Sequence, residues 1–271
     1  MLKIIGTNQG QRGDLVIGTV VARAIKEKFP GSHFTLGINK MYEDMESLFK
    51  FHPYIDDTCI WEAYDNWPSQ KDVSYLRENE FDIVLHPMPR HPNDHCWFNL
   101  VNSLTESACI MNGFSPPKDL SCVLTKYFEL KSGFEDSVCI SPFTAWEKKN
   151  ISLSKWEQIV SFINSKGLKV VQIGDNSEPT IKGAEKKLNL SYFESAKVML
   201  SCKFLICLDG GMSWVASAYK QKVLGLYGYH FDGLMSPKIY QPINENAIYL
   251  ESKNAEDIQM NLIFDNITKY I

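Results

Sequence analysis

The chain lacks any stretch approaching the roughly 20 consecutive apolar residues that cross a bilayer, so at most peripheral membrane contact is expected of it. It has no excess of positive charge: the formal net charge is -4 and the pI is near 5.9. Binding to a phosphate backbone usually needs a basic stripe, so no nucleic-acid partner is expected. No Asp-x-Asp metal motif occurs. The seven cysteines are scattered and odd in number, no pair has zinc-ligand spacing, and Cys139, Cys202 and Cys207 sit within apolar stretches. Both a disulfide scaffold and a zinc module are therefore disfavoured, and a reducing cytoplasm fits best. The opening Met1-Leu2-Lys3-Ile4-Ile5-Gly6 turns polar too early for a signal peptide, and neither short repeats nor low-complexity tracts are seen. The expected place is the cytoplasm, including the inner face of its membrane.

What is present is an ordinary globular composition, 44% hydrophobic and 22% charged over 271 residues, a length suited to two small domains. Short apolar runs alternate with amphipathic segments, the pattern of parallel sheets covered by helices. The first half predicts strands at Lys3–Gly6, His33–Ile38, Thr58–Trp61 and Phe81–Leu85, with helices at Asp14–Lys28 and Tyr42–Phe49. Pro30-Gly31 closes the first helix. The second half predicts strands at Ser137–Ser141, Leu168–Ile173, Phe204–Leu208 and Val223–Tyr227. Its helices are expected at Ser154–Ser165, Thr180–Leu188, Tyr192–Ser201 and Gly211–Tyr219. The polar, glycine-containing segment Leu130–Asp136 reads as the linker, giving domains 1–132 and 133–271. Asn254–Tyr270 has helical periodicity and is left free to pack on either domain, including back onto the first.

Four loops follow strands, where α/β sheets place their ligands. In Asn8-Gln9-Gly10-Gln11-Arg12-Gly13-Asp14 the glycines permit close backbone approach, but the third glycine of a dinucleotide fingerprint is missing. Asp14 is either a helix N-cap or a base for a substrate hydroxyl. In Leu208-Asp209-Gly210-Gly211-Met212-Ser213, amides at a helix start form an anion site suited to a diphosphate, or Asp209 is merely a cap. The loop Ser141-Pro142-Phe143-Thr144-Ala145-Trp146-Glu147-Lys148-Lys149-Asn150 offers two lysines to a leaving diphosphate, or to solvent. Gly174-Asp175-Asn176-Ser177-Glu178 offers a carboxylate to ribose hydroxyls, or starts a helix. His86, His91, Asp94, His95 and Cys96 lack the spacing of one metal site; with Arg90 and His91 they suit an acceptor-contacting rim. Trp61, Trp67 and Trp97 suit sugar stacking or core packing.

At these residues the chain resembles the heptosyltransferase family, inverting glycosyltransferases of the GT-B fold that build lipopolysaccharide cores from ADP-heptose. Gly13-Asp14-Leu15-Val16-Ile17-Gly18-Thr19, running through Ala24-Ile25-Lys26 to Phe29-Pro30, is similar to that family's first loop and helix, and the later Pro53-Tyr54-Ile55-Asp56 resembles the family too. Ser141-Pro142-Phe143-Thr144 with Lys148 or Lys149 and Trp156 resembles its donor loop. Gly174 with Glu178 resembles its ribose turn, and Asp209-Gly210-Gly211-Met212-Ser213 its diphosphate-binding helix start. Ala216-Ser217-Ala218 and Val223-Leu224-Gly225-Leu226-Tyr227-Gly228 continue the likeness, which spans most of the chain.

The resemblance implies two Rossmann-like domains facing each other across a cleft, the first reading the acceptor and the second binding a nucleotide-sugar. It makes Asp14 the catalytic base, with Arg12, Gly13, Arg90 and His91 on the acceptor side. Ser141, Thr144, Lys148, Lys149, Gly174, Glu178 and Asp209 through Trp214 fall on the donor side. The implied reaction is metal-independent inversion, with a nucleotide-sugar as co-substrate and a carbohydrate, glycolipid or protein acceptor. Where the family carries a histidine this chain has Trp214, and its first domain is shorter than usual. A non-catalytic nucleotide-sugar-binding protein, a DNA-base glycosyltransferase and a sugar-nucleotide epimerase are the alternative readings.

Overall fold

The computed structural model describes residues 1–7, 11–61, 80–86, 103–229 and 236–271. The chain divides into two compact units, Met1–Tyr127 and Phe128–Ile271. Each is built on an all-parallel sheet, so its central strands are apolar on both faces rather than alternating.

In the first unit β1 (Lys3–Thr7), β2 (His33–Asn39), β3 (Asp57–Trp61) and β4 (Ile83–Leu85) assemble in the order β3-β2-β1-β4. Helix α1 (Arg12–Lys28) is buried continuously from Asp14 to Ile25, as a helix does when it is covered on more than one side. Part of that cover is the irregular segment 114–127. The buried Arg23 binds the backbone oxygens of Asp119 and Ser121, Thr19 Oγ1 accepts from Val123 N at 3.3 Å, and His52 Nε2 meets Val123 O at 2.8 Å. The predicted helix at Tyr42–Phe49 is a 3-10 segment, Lys40–Phe49, kinked at Tyr42 and started by Asn39, whose side chain accepts from Met41 N. Helix α2 (Leu104–Met111), which the sequence reading does not contain, is capped by Ser103 accepting from Glu106 N.

In the second unit, β5 (Ser137–Ser141), β6 (Lys169–Gly174), β7 (Glu185–Leu188), β8 (Leu205–Leu208), β9 (Val223–Gly228) and β10 (Ala247–Ser252) assemble in the order β10-β9-β8-β5-β6-β7. Read from the other edge this is the 3-2-1-4-5-6 order of a dinucleotide-binding fold. The covering helices are α3 (Leu153–Ser165), α4 (Tyr192–Ser201), α5 (Gly211–Ala218), α6 (Pro237–Tyr240) and α7 (Met260–Tyr270). Trp156 of α3 is fully buried and its indole N–H donates to Pro142 O at 3.1 Å. Truncating such a side chain to alanine costs about 3–5 kcal/mol. The last helix packs within this unit: Ile263 and Ile267 join Val138, Trp156 and Phe204 in one core, Phe264 stacks on Phe162 at 4.2 Å, and Tyr270 donates to Val223 O.

One predicted element is overturned. Thr180–Leu188 is not a helix but a turn followed by β7, which pairs with β6 from Val171↔Glu185 to Gly174↔Leu188. The buried Gln172 holds the turn in place: its amide donates to Pro179 O and accepts from Ile181 N. Gly183, at φ +90, then turns the chain into the strand. Among the described residues no helix is long and apolar enough to cross a membrane.

Candidate functional site

In doubly wound sheets the strand order reverses at one gap, and ligands bind beyond the carboxyl ends of the strands flanking it. In the second unit that gap lies between β5 and β8. The loop after β5 and the turn after β8 meet there: Lys149 Nζ is 2.6 Å from Asp209 Oδ2, both side chains being largely buried. Lys149 also stands 4.8 Å from the centre of the Trp146 ring. The β5 loop is closed on itself, with Thr144 N donating to Asn150 Oδ1, Thr144 Oγ1 to Trp146 O, and Lys149 N to Trp146 O. Of the two lysines the sequence left open, Lys149 is thus directed to the strand gap, whereas Lys148 is exposed.

After β8, Gly210 is the N-cap of α5, so Asp209 is not its cap and is held by Lys149 instead. Gly210 has extended backbone that any residue adopts, and a Cβ there would only touch Thr144 Cγ2 at 3.7 Å. What the glycine contributes is therefore an uncovered backbone. The first helical amides, of Gly211 and Met212, have no acceptor within the helix and favour an anion. Ser213 is fully buried, donating to Gly210 O at 2.7 Å and accepting from Tyr227 Oη at 2.9 Å, so its hydroxyl is committed to holding the turn. Met212 and Trp214 are also buried, the indole packing into the interior. Burial first, and the Asp209 carboxylate second, raise the pKa of the Tyr227 and Tyr240 hydroxyls and keep them protonated. Ser141, the last residue of β5, is half-buried.

On the other side of β5, β6 ends at Gly174 and the turn brings Glu178 back over it. A Cβ on residue 174 would lie 1.9 Å from Glu178 Oε2, so only glycine admits this carboxylate. Glu178 Oε2 is enclosed and has no hydrogen-bond partner among the described residues. Burial, the largest influence, pushes its pKa up. An enclosed acceptor of this kind suits two neighbouring hydroxyls.

The first unit reverses its strand order between β1 and β4. Thr7 ends β1, and its Oγ1 lies 2.7 Å from Nδ1 of His86, the residue after β4. Asn112 donates to His86 O, fixing that end. Asp14 is not the N-cap of α1: Gln11 is, and the Asp14 carboxylate accepts from Gln11 N at 2.6 Å, the reciprocal half of a capping box. Asp14 is nearly buried. Gly13 sits beside it in the first turn, and Arg12 reaches Asp44 at 3.3 Å with its guanidinium over Tyr42. The Thr7–His86 contact was not foreseen, because a threonine and a histidine 79 residues apart carry no joint signal. Arg90, His91, Asp94, His95 and Cys96 lie outside the described residues, as do Asn8, Gln9, Gly10, Trp67 and Trp97. Among the described residues no group of three or more histidine, cysteine, aspartate or glutamate side chains gathers as a metal site would require.

Solved structures show the same architecture. A glycosyl transferase family 9 protein from Veillonella parvula superposes with a TM-score of 0.76 at 15% identity, covering 99% of this chain and 97% of its own. E. coli heptosyltransferase WaaC, solved with ADP, gives 0.72 at 13% identity over 100% of both chains. E. coli ADP-heptose LPS heptosyltransferase II gives 0.72 at 14%, covering 100% and 98%. At such identities the likeness establishes the fold, which is that of the GT-B heptosyltransferases. No curated protein sequence matches the chain. The model of glycosyltransferase family 9 (heptosyltransferase) matches residues 104–266, more than half of the chain. The chain is a glycosyltransferase and belongs to that family.

Proposed function

We propose that the chain transfers a sugar, with inversion and without a metal ion, from a nucleoside-diphosphate donor to an acceptor hydroxyl. The observation that carries the donor half is the Lys149–Asp209 pair beside the Gly210-Gly211 turn, at the strand gap of a dinucleotide-type sheet. Lys149 cancels the charge of Asp209, so a diphosphate meets a neutralised carboxylate, a helix start and a lysine. Glu178, one strand away, takes the ribose hydroxyls.

Asp14 is the base in this reading. Its Oδ2 is held by Gln11 N, which orients the carboxylate. The acceptor O–H proton passes to Asp14 and the acceptor oxygen attacks the anomeric carbon. The bond from that carbon to the diphosphate oxygen breaks, its electron pair leaving with the nucleoside diphosphate. Charge grows on the leaving phosphate, where Lys149 and the amides of Gly211 and Met212 stabilise it. Arg12, Gly13, Arg90 and His91 are assigned to a carbohydrate, glycolipid or protein acceptor, and the reaction to the cytoplasm. The WaaC structure carries ADP, so ADP-linked sugars are the first donors to examine.

A thermal-shift comparison of ADP-, UDP-, GDP- and CMP-linked sugars tests the donor assignment. A ligand at a hundred times its Kd stabilises the native state by about 2.7 kcal/mol, and no shift with any of them sinks it. Turnover unchanged by EDTA is expected. If a folded, donor-binding Asp14→Asn protein kept near-normal turnover, the base would lie elsewhere. The buried Trp214 favours one other reading, a nucleotide-sugar binder without chemistry; donor binding with neither transfer nor donor hydrolysis would select it.

A further inference from the structure

We infer that the buried hydroxyl of Tyr227 is a positioning group for the donor diphosphate, acting through Ser213 on the backbone amide of Gly211. The inference deepens the donor-site reading and rests on it. Tyr227 of β9 and Ser213 of α5 are both fully buried, and their hydroxyls form a chain whose direction is fixed. Gly210 O is a carbonyl and can only accept, so Ser213 Oγ donates to it at 2.7 Å. That uses the one proton of the serine, and Tyr227 Oη must therefore donate to Ser213 Oγ, at 2.9 Å. Burial keeps the phenol protonated, as a donor has to be.

The chain ends on a single peptide group. Gly210 C=O and Gly211 N–H share one plane, and in a trans peptide they point in opposite directions. The carbonyl is held toward the helix by Ser213 Oγ and, at 3.1 Å, by Ser213 N. Its partner amide is thereby aimed out of the helix start, where the diphosphate is assigned. Each O–H dipole also polarises the next bond, and density drawn onto the carbonyl oxygen leaves the Gly211 N–H a stronger donor. That strength counts most when charge grows on the leaving phosphate.

The place of the tyrosine is built into the sheet. Gly225 lies two residues earlier on the same face of β9. A Cβ there would fall 2.6 Å from Tyr227 Cε2 and 2.5 Å from Tyr249 Cδ1, so the bare backbone makes room for both rings. Tyr249 meets the Tyr227 ring edge-on at 5.2 Å and Tyr240 stacks on it at 5.9 Å. Phenylalanine would satisfy that packing equally well; the hydroxyl serves Ser213.

Gly210-Gly211 is the one Gly-Gly step in the sequence, so glycine labelled with carbon-13 at the carbonyl and with nitrogen-15 gives a single carbonyl-correlated amide peak, that of Gly211. In wild type, the one of ADP, UDP and GDP that binds should move this peak. Tyr227→Phe keeps the ring; it should shift the peak upfield before any ligand is added and weaken that diphosphate about threefold to tenfold, the scale of one hydrogen bond. Ser213→Ala cuts the chain one bond later and should weaken it at least as much. The double variant should be no weaker than Ser213→Ala alone, because the tyrosine has then lost its route. Weakening without the upfield shift marks a merely structural role, and unchanged affinity in either single variant shows that the relay does not serve the diphosphate. Either result, or a double variant weaker than Ser213→Ala, overturns the inference and leaves the donor site standing. If none of the three nucleotides moves the peak in wild type, the donor-site reading itself falls and takes this one with it.

Discussion

Glu178 occupies the space in which a side chain on residue 174 would begin: a Cβ on Gly174 would fall 1.9 Å from Glu178 Oε2 and 2.7 Å from its carboxyl carbon. The two residues are one device, a carboxylate seated on a bare backbone. Gly174→Ala should therefore displace the carboxylate, which as the end of a flexible side chain can move, and should destabilise the protein by about 1–3 kcal/mol, chiefly because alanine is strained at φ +156. It should also weaken nucleotide binding. Adding Glu178→Ala should restore part of the stability and none of the affinity, a non-additive result expected of residues in contact. Urea denaturation and calorimetry on the four proteins of this cycle measure both effects.

The Lys149–Asp209 pair makes a second, opposite separation of stability from binding. Lys149→Met leaves a largely buried carboxylate without its cation and should cost about 1–3 kcal/mol. Lys148→Met, at an exposed position, should stay within about 0.5 kcal/mol of wild type. Lys149→Met combined with Asp209→Asn should regain most of the stability while donor affinity stays low, because the cation proposed to meet the diphosphate is still missing. Recovery of affinity in the double variant would show that Lys149 serves only to satisfy Asp209.

His52 gives the first unit an acid-sensitive seam. Burial, above all, lowers its pKa from 6.5 to about 4, with the Arg23 charge adding to the effect against the bond to Val123 O. The unfolded chain then binds a proton between about pH 6.5 and 4 that the native state refuses. The stability from the neutral ring is present above pH 6.5 and is lost as pH falls toward 4, by on the order of 3 kcal/mol. Chemical denaturation at intervals across this window should show the slope, and His52→Gln should flatten it. Val123 belongs to the segment tied to α1 by Thr19 and Arg23, so protection of those amides from hydrogen exchange should fall first.

The alternation of apolar runs and amphipathic segments was enough to read most strands and helices, because strands buried on both faces must be apolar wherever they lie in the sheet. The strands at the second sheet's edges escaped that logic. Glu185-Lys186-Lys187-Leu188 shows no apolar run, and its strand is seen only in its pairing along the edge of β6, after a turn held by Gln172. Ala247–Ser252, half-buried for most of its length, is also absent from the sequence reading, although it opens with the apolar run Ala247-Ile248-Tyr249-Leu250. In the candidate site, the glycine turns and carboxylates announced themselves by residue type at strand ends. Their partners did not. Nothing local distinguishes Lys148 from Lys149, or shows that Ser213 is turned inward toward Tyr227.

Residue order alone thus determined the two βα halves and the loops from which chemistry was to be expected, since backbone propensity and hydrophobic period are local properties. The tertiary structure decided the strand order that sets β5 beside β8, the seating of Glu178 on Gly174, the choice of Lys149, the burial of Trp214 and the exposure of Trp146. Each of these depends on which distant atoms share a few cubic ångströms, and packing at that density is set by the whole fold.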